Sequence, residues 1–359
     1  MKILKILDWP KQRFYSETHP FYKWRNELLN EGIKTQFYNH HLSKNLKDSD
    51  YLLIHSRYFD AGRNPNHGSR NDKDLLIEFL SEMKKSTTKI IWYDAADSTG
   101  SSDFSIIPYV DIFLKKQILK DRNYYTANDK SLNLRLWMNN EIANQSDYPF
   151  DFCPKDQIHK LKLGWNLGFN DYRYFGYKMS RLSNYLNYNW YPLKITETAA
   201  NRNLDLTFRG TIHSEINGKS HISEQRNKVI TLLNQLNLNI ASGASIPKKK
   251  YWKELRNAKL SISPFGWGEV CYRDFETFIA GAILIKPRMD HLETIPNCYF
   301  ENQTYVPIAW DLNDLPEKLD HLITNYKQSQ QIAINGQKTY LETINNPNVF
   351  INTLINAIA

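Results

Sequence analysis

The chain has 359 residues, 41% hydrophobic and 13% aromatic, with a net charge of +8. That composition excludes a disordered chain, and the length fits roughly two domains of ~100–200 residues each. No apolar run approaches the ~20 residues of a membrane-spanning helix, and the opening MKILKILDWP reads as a first strand and not as a leader peptide.

In chain order, Ile3 to Leu7 is a β run ending at Asp8, and Trp9 to Pro20 is a polar loop containing Glu17 and His19. Phe21 to Asn30 is helical and closed by Gly32. Thr35–Tyr38 and Tyr51–Ile54 read as strands, the latter followed by His55 and Arg57. Asp60 to Arg70 is a Gly/Asn/Pro-rich loop and Asp72 to Lys84 an amphipathic helix. Lys89–Tyr93 is a fourth strand running into Asp94-Ala-Ala-Asp97-Ser-Thr-Gly100, and Val110–Leu114 a fifth. From Leu161 to Pro192 the texture turns to Tyr, Asn and Gly, as in a domain connection with a half-wet aromatic surface.

A second alternation follows. Leu204–Phe208 is a strand delivering Arg209-Gly210-Thr211, and His213–Ser223 is a polar loop. Glu224–Leu236 is a helix with Arg226 in its first turn. Leu238–Ala241 is a short strand, Lys248-Lys249-Lys250 a solvated turn, and Lys250–Asn257 a helix. A strand ending at Ser261–Phe265 opens into the loop Gly266, Trp267, Gly268, Glu269, Tyr272. A helix runs from Arg273 to Gly281, which has the place of a left-handed C-terminal residue, and Ala282–Ile285 is a buried strand. Tyr305–Trp310 precedes a helix over Leu315–Asn325, and Gln331–Ala359 is a helical tail broken at Asn345-Asn346-Pro347.

This spacing predicts an α/β protein of two Rossmann-like domains facing a cleft. Residues 1–190 would form the acceptor side and 191–335 the donor side, with 336–359 a terminal helix packing back on the first domain. The second half offers Arg209, Gly210 and Thr211 at a strand end, Arg226 at a helix start, and Gly266, Gly268, Glu269, Tyr272, Arg273 and Glu276 around a loop that leads into a helix. Guanidinium groups suit a pyrophosphate, and a carboxylate suits ribose or sugar hydroxyls. Ion pairing of Arg209 and Arg226 with surface acids is the competing explanation.

The segment SPFGWGEVCYRDFETFIAGAILIKP resembles the donor-site signature of GT-B glycosyltransferases, specifically the exostosin-like and family-1-like branch. The strand Leu204–Phe208 with Arg209-Gly210 and the later Arg226 resembles the first unit of that donor domain. The resemblance covers roughly residues 200 to 315 and implies transfer of a sugar from a nucleotide-diphosphate donor. Glu276 would bind ribose or donor sugar, Arg273 and Arg226 would face the diphosphate, and Gly266 to Gly268 would let the backbone approach. Retaining members carry Glu-x7-Glu; here six residues separate Glu269 from Glu276, and an inverting outcome is favoured. Gly164-Trp165-Asn166-Leu167-Gly168 lies where related enzymes place a donor-touching loop, with a plain turn as the alternative.

An inverting transfer needs a base on the first domain. Asp8, Glu17, Asp94 and Asp97 follow strands, and Asp94 and Asp97 are preferred; helix capping by Asp97 or Ser98 competes, and His55 is a weaker candidate. Trp9, Trp165, Tyr172 and Trp267 are candidates to stack on sugar rings. No metal or bound cofactor is expected: Asp48-Ser49-Asp50 precedes its strand and reads as a turn, and no zinc-ligand spacing occurs. Cys153, Cys271 and Cys298 lack paired spacing and suit a reducing cytoplasm. The acceptor would be a glycan or lipid-linked saccharide of a surface polysaccharide, and the positive charge is compatible with peripheral contact at the inner membrane face. The runner-up reading is a basic polyanion- or nucleic-acid-binding protein, although no specific nucleic-acid signature is present; a third is an inactive glycosyltransferase fold serving as a partner subunit.

Overall fold

Apolar stretches buried on both faces form the strands of two parallel sheets, as expected where helices cover each face. The structure, a computed structural model, describes residues 1–8, 17–59, 73–101, 103–127, 134–138, 152–173, 180–212 and 220–359. Of the loops expected over 9–20, 60–70 and 213–223, residues 9–16, 60–70 and 213–219, and with them Trp9, lie outside the described residues; His19 and Pro20 open a helix, and Ser220 to Ser223 belong to the helix Ser220–Leu233.

The first sheet contains β1 (Lys2–Leu7), β2 (Ile33–Tyr38), β3 (Ser49–His55), β4 (Thr87–Asp94), β5 (Ile112–Lys115) and β7 (Leu161–Leu163). Their spatial order is β2-β1-β3-β4-β5-β7, all parallel. The order reverses at β1, so the sheet's natural crevice opens at the carboxyl ends of β1 and β3. The second sheet contains β8 (Leu204–Arg209), β9 (Ile240–Gly243), β10 (Ala258–Ile262), β11 (Ile283–Pro287) and β13 (Val306–Ile308). Its order is β13-β11-β10-β8-β9, also parallel, and its crevice lies between β8 and β10. These are two Rossmann-like units, each opening at a point where the strand order reverses.

Two devices tie the halves. β6 (Gln117–Leu119) from the first half pairs antiparallel with β12 (Leu292–Thr294) from the second. Helix Tyr326–Asn345 packs on helix Tyr272–Ala280 of the second half, and helix Pro347–Ile358 packs on β5 and β7 of the first. Phe350 is fully buried there, with ring centroids 5.0 Å from Phe21 and 4.9 Å from Trp165.

Local departures from the sequence expectation have physical causes. The first helical stretch is split at Trp24 into His19–Lys23 and Arg25–Asn30. Lys248-Lys249-Lys250 is not a free turn: Pro247 stands before the first turn of helix Lys248–Asn257, where its fixed φ and missing N–H cost nothing. Gly281 ends helix Tyr272–Ala280 at φ +64°, as expected. The break at Asn346-Pro347 is present, with the Asn346 side chain accepting from the Asn348 N–H at 3.0 Å.

Candidate functional site

The second crevice is built where β8 and β10 release the chain. Arg209 ends β8, but its guanidinium is held by Glu254 at 2.8 and 3.1 Å and donates to the Ser242 carbonyl. Its role in this geometry is to bind helix Lys248–Asn257 to the sheet. Gly210 follows, its N–H on the Gly243 carbonyl at 3.1 Å. Thr211 is exposed; its hydroxyl meets Ser245 at 3.1 Å and its carbonyl accepts from Arg226 at 2.8 Å.

Arg226 and Arg273 converge on this opening. Arg226 comes from helix Ser220–Leu233 and lies under Gly266, where an added Cβ would fall 2.3 Å from its Nη2. Arg273, in the first turn of helix Tyr272–Ala280, donates to the Arg209 carbonyl and lies over the Phe208 ring. The Nε of each is buried without a hydrogen-bond partner. Burial pulls the Arg226 pKa down, with neighbouring Arg273 adding to it and Cys271 opposing. Burial acts likewise on Arg273, but Cys271, Tyr251, Glu276 and Asp274 outweigh it and its pKa is raised. Both remain cationic near neutral pH. Arg273 stands in the first turn of its helix, but the helix expected from Glu224 begins at Ser220, so Arg226 lies in a second turn and not at a helix start. Two adjacent guanidiniums with orphaned donors can receive an anion.

Glu276, one turn on, is nearly fully buried. It is paired with Lys248 and accepts from the Tyr251 hydroxyl at 2.7 Å. Tyr272 is half-buried, its ring 6.3 Å from that of Tyr172. Asp274 serves the fold: it caps its own helix through the Cys271 N–H at 3.0 Å, pairs with Lys286 at 3.1 Å and accepts from Tyr299 at 2.7 Å.

The glycine-rich loop is pressed against the first half. A Cβ on Gly268 would lie 1.5 Å from the Asp97 carbonyl oxygen and 2.8 Å from the Ser98 nitrogen. Glu269 is fully buried and held by first-half donors: Thr99 at 3.0 Å, Trp137 at 3.2 Å and Gln117 at 3.4 Å. Arg135 adds a bond to the Trp267 carbonyl at 3.1 Å. Glu269 is therefore a latch between the halves.

Across the cleft, the two acids of YDAADSTG part company. Asp94 is buried and bonded to Lys115 at 2.8 Å; burial pushes its pKa up, but Lys115 wins and holds it low. Asp97 keeps 42% of its side chain exposed. It is gripped by Lys116 at 2.7 Å and Arg57 at 3.3 Å. Burial raises the Asp97 pKa, and the two cations more than reverse that. Beside it lies Glu17, buried, 3.5 Å from Lys116 and 3.6 Å from His55 Nε2. Burial pushes the Glu17 pKa up, but His55, Lys116 and Arg57 hold it well below the usual carboxylate range. Asp8 accepts from Thr18 at 3.2 Å. Asp8, Glu17 and His55 thus mark the β1/β3 crevice, with Asp97 on its open side.

Of the residues expected from sequence, Arg226, Gly266, Arg273 and Glu276 come together, while Gly268 meets the backbone of Asp97, whose side chain stays with Lys116 and Arg57. The Trp165 side chain does not join them, although its loop packs on helix Tyr272–Ala280 where Gly168 meets Phe275. The Trp165 indole donates to the Glu17 carbonyl at 2.6 Å, Asn166 bonds the Pro296 carbonyl at 3.2 Å, and Gly168 faces Pro296 so closely that a Cβ would collide with its ring. Asp50 accepts from the Ile3 N–H at 2.7 Å, at the opposite end of β3 from the cleft. Sequence reasoning missed Lys116, Lys248 and Tyr251. Lys115-Lys116, two lysines closing an apolar strand, was the available signal. Among the described residues no group of three or more His, Cys, Asp or Glu could hold a metal, and no helix is long and apolar enough to cross a membrane.

No protein-family model matches the chain, and no curated protein does. Several solved structures are similar to it in outline. T4 phage BGT in complex with its UDP-glucose substrate shares 12% identity, covering 100% of this chain and 99% of that one, at a TM-score of 0.49. An alpha-glucosyltransferase in complex with UDP-glucose and DNA containing an abasic site shares 10%, covering 99% of both chains, at 0.48. Anabaena HepE in complex with UDP-glucose shares 8%, covering 99% of both chains, at 0.47.

Proposed function

We propose that the chain is a glycosyltransferase of the GT-B kind, transferring a sugar from a nucleotide-diphosphate donor to a hydroxyl of a glycan or lipid-linked saccharide. The observation that carries this is the pair Arg226 and Arg273, with orphaned Nε atoms at the β8/β10 crevice and Glu276 one turn away. In this reading the guanidiniums hold the diphosphate, and Glu276, set by Lys248 and Tyr251, takes hydroxyls of ribose or sugar. Asp97 receives the proton of the acceptor hydroxyl as its oxygen attacks the anomeric carbon. The bond from that carbon to the diphosphate breaks, and the leaving charge passes to Arg226 and Arg273. Glu269 is committed to Thr99, Trp137 and Gln117, so the first acid of the retaining pattern is occupied and the inverting course is preferred.

Thermal unfolding with UDP, GDP, dTDP and CMP tests the reading. At about 100 times its Kd a ligand adds about 2.7 kcal/mol. One nucleotide should raise the midpoint, and Arg273→Ala should abolish the shift. No shift with any of the four would refute it.

A further inference from the structure

Helix Lys248–Asn257 carries a second feature on the face turned away from Glu276. A groove of about 1040 Å³ runs along it, lined by Arg173, Lys194, Lys249, Lys250, Lys253 and Arg256 and, among the described residues, by no acid. Arg173 spends its charge on Asp171 at 2.9 Å. The other five form no ion pair among the described residues. Lys249, Lys253 and Arg256 recur at helical stride, so one helix side presents their charge.

The chain between the halves borders this groove. Arg173 donates to the Tyr191 carbonyl at 3.3 Å and Arg256 to the Lys194 carbonyl at 3.4 Å. The same stretch exposes Leu182, Tyr185, Trp190, Tyr191 and Ile195, with Trp190 81% and Tyr185 68% accessible. The Ser183 and Leu186 carbonyls also take the Arg173 guanidinium, each at 2.8 Å, so this stretch wraps one wall of the groove, and the apolar side chains it exposes mark a contact site.

We propose that this basic groove and its apolar rim form a docking surface for an anionic lipid bilayer. The cations match the negative headgroup layer, and Trp and Tyr suit the interface between headgroup and acyl chain. The choice over nucleic acid rests on the rim. Leu182 and Ile195 are aliphatic and exposed, with nothing to stack on in a nucleotide but with acyl chains to enter in a bilayer. The aromatic residues inside the groove, Tyr172 and Trp252, are themselves buried and offer bases no platform. The surface shares its helix with Lys248 and Tyr251, so docking brings the cleft to the membrane, where a lipid-linked acceptor resides. That purpose rests on the proposed glycosyltransferase reading; the docking itself does not.

Co-sedimentation of the full chain with phosphatidylcholine vesicles, with and without phosphatidylglycerol, tests it. Binding should require phosphatidylglycerol and weaken with salt. The triple variant Lys249→Gln/Lys250→Gln/Lys253→Gln should lower partitioning roughly a hundredfold, about fivefold per cation. Trp190→Ser should weaken binding while leaving its salt dependence in place. Both variants alter exposed positions, so unchanged thermal midpoints and unchanged nucleotide shifts keep a docking failure distinct from a donor-site failure. Equal binding to both vesicle types, no binding, or displacement from vesicles by a short oligonucleotide would overturn the proposal.

Discussion

Replacing Gly268 by alanine isolates the seam between the halves. The new methyl would lie 1.5 Å from the Asp97 carbonyl oxygen and 2.1 Å from its carbonyl carbon. Both are backbone atoms in the loop after β4, where the Gln117 amide holds the same carbonyl, and they cannot swing aside as a side chain can. Reaching ordinary contact needs a shift of about 2 Å, which carries hydrogen bonds out of range. The bonds lost are those of Glu269, at 3.0, 3.2 and 3.4 Å, around a carboxylate with no solvent access. Hydrogen bonds to a charged group are worth about 1.5–3 kcal/mol each, and the longest of these is weak, so the loss is about 3–5 kcal/mol. Gly266→Ala is the matched contrast. Its methyl meets only the tip of Arg226, at 2.3 Å, which can move. Gly266→Ala should therefore keep stability and lose nucleotide affinity, because it displaces a guanidinium. Denaturant unfolding followed by tryptophan fluorescence, with Trp137 beside Glu269, reads the first effect; nucleotide-induced thermal shift reads the second. A Gly268→Ala protein as stable as the parent would refute the account of the seam.

Asp97→Asn should lower the transfer rate roughly 10²–10⁴-fold while the nucleotide shift persists, and retained turnover would dismiss Asp97 as the base. Lys115→Met strands buried Asp94 and should cost about 3–5 kcal/mol, much of it recovered in Asp94→Asn/Lys115→Met; an additive double mutant would contradict the pairing. His19 is buried against Asn184 and Tyr188, and burial pulls its pKa from 6.5 to about 4. Between those values the unfolded chain binds the proton and the folded one does not. Stability therefore falls as pH drops from 6.5 toward 4, by up to about 3 kcal/mol at 1.36 kcal/mol per pKa unit. His19→Gln should flatten that slope in denaturation curves taken across the range.

The strands were legible because parallel sheets covered on both sides leave long apolar runs such as Tyr51–Ile54 and Ala282–Ile285. The second crevice was legible for the same reason, since glycines and arginines stand where those runs stop. What escaped depends on meetings between distant segments. Nothing in Gln117-Ile118-Leu119 announces Leu292-Glu293-Thr294 as its partner, since each strand has three residues and the pairing joins the two halves. Glu269 stands among donor-loop residues in sequence, yet its donors come from Thr99, Gln117 and Trp137. Asp94 and Asp97 looked alike as acids after a strand. Lys115, at the end of the neighbouring strand, separates them by claiming Asp94.

Phe350 completes the packing around Phe21 and Trp165, and the carbonyls of Ala357 and Ile358 receive Lys162 and Lys89 of the first half. The first sheet is thus finished by residues translated after the whole of the second. On the ribosome the aromatic pocket of the amino-terminal half stays uncovered until Phe350 has emerged. A nascent chain halted near residue 340 should expose a hydrophobic site that chaperones recognise.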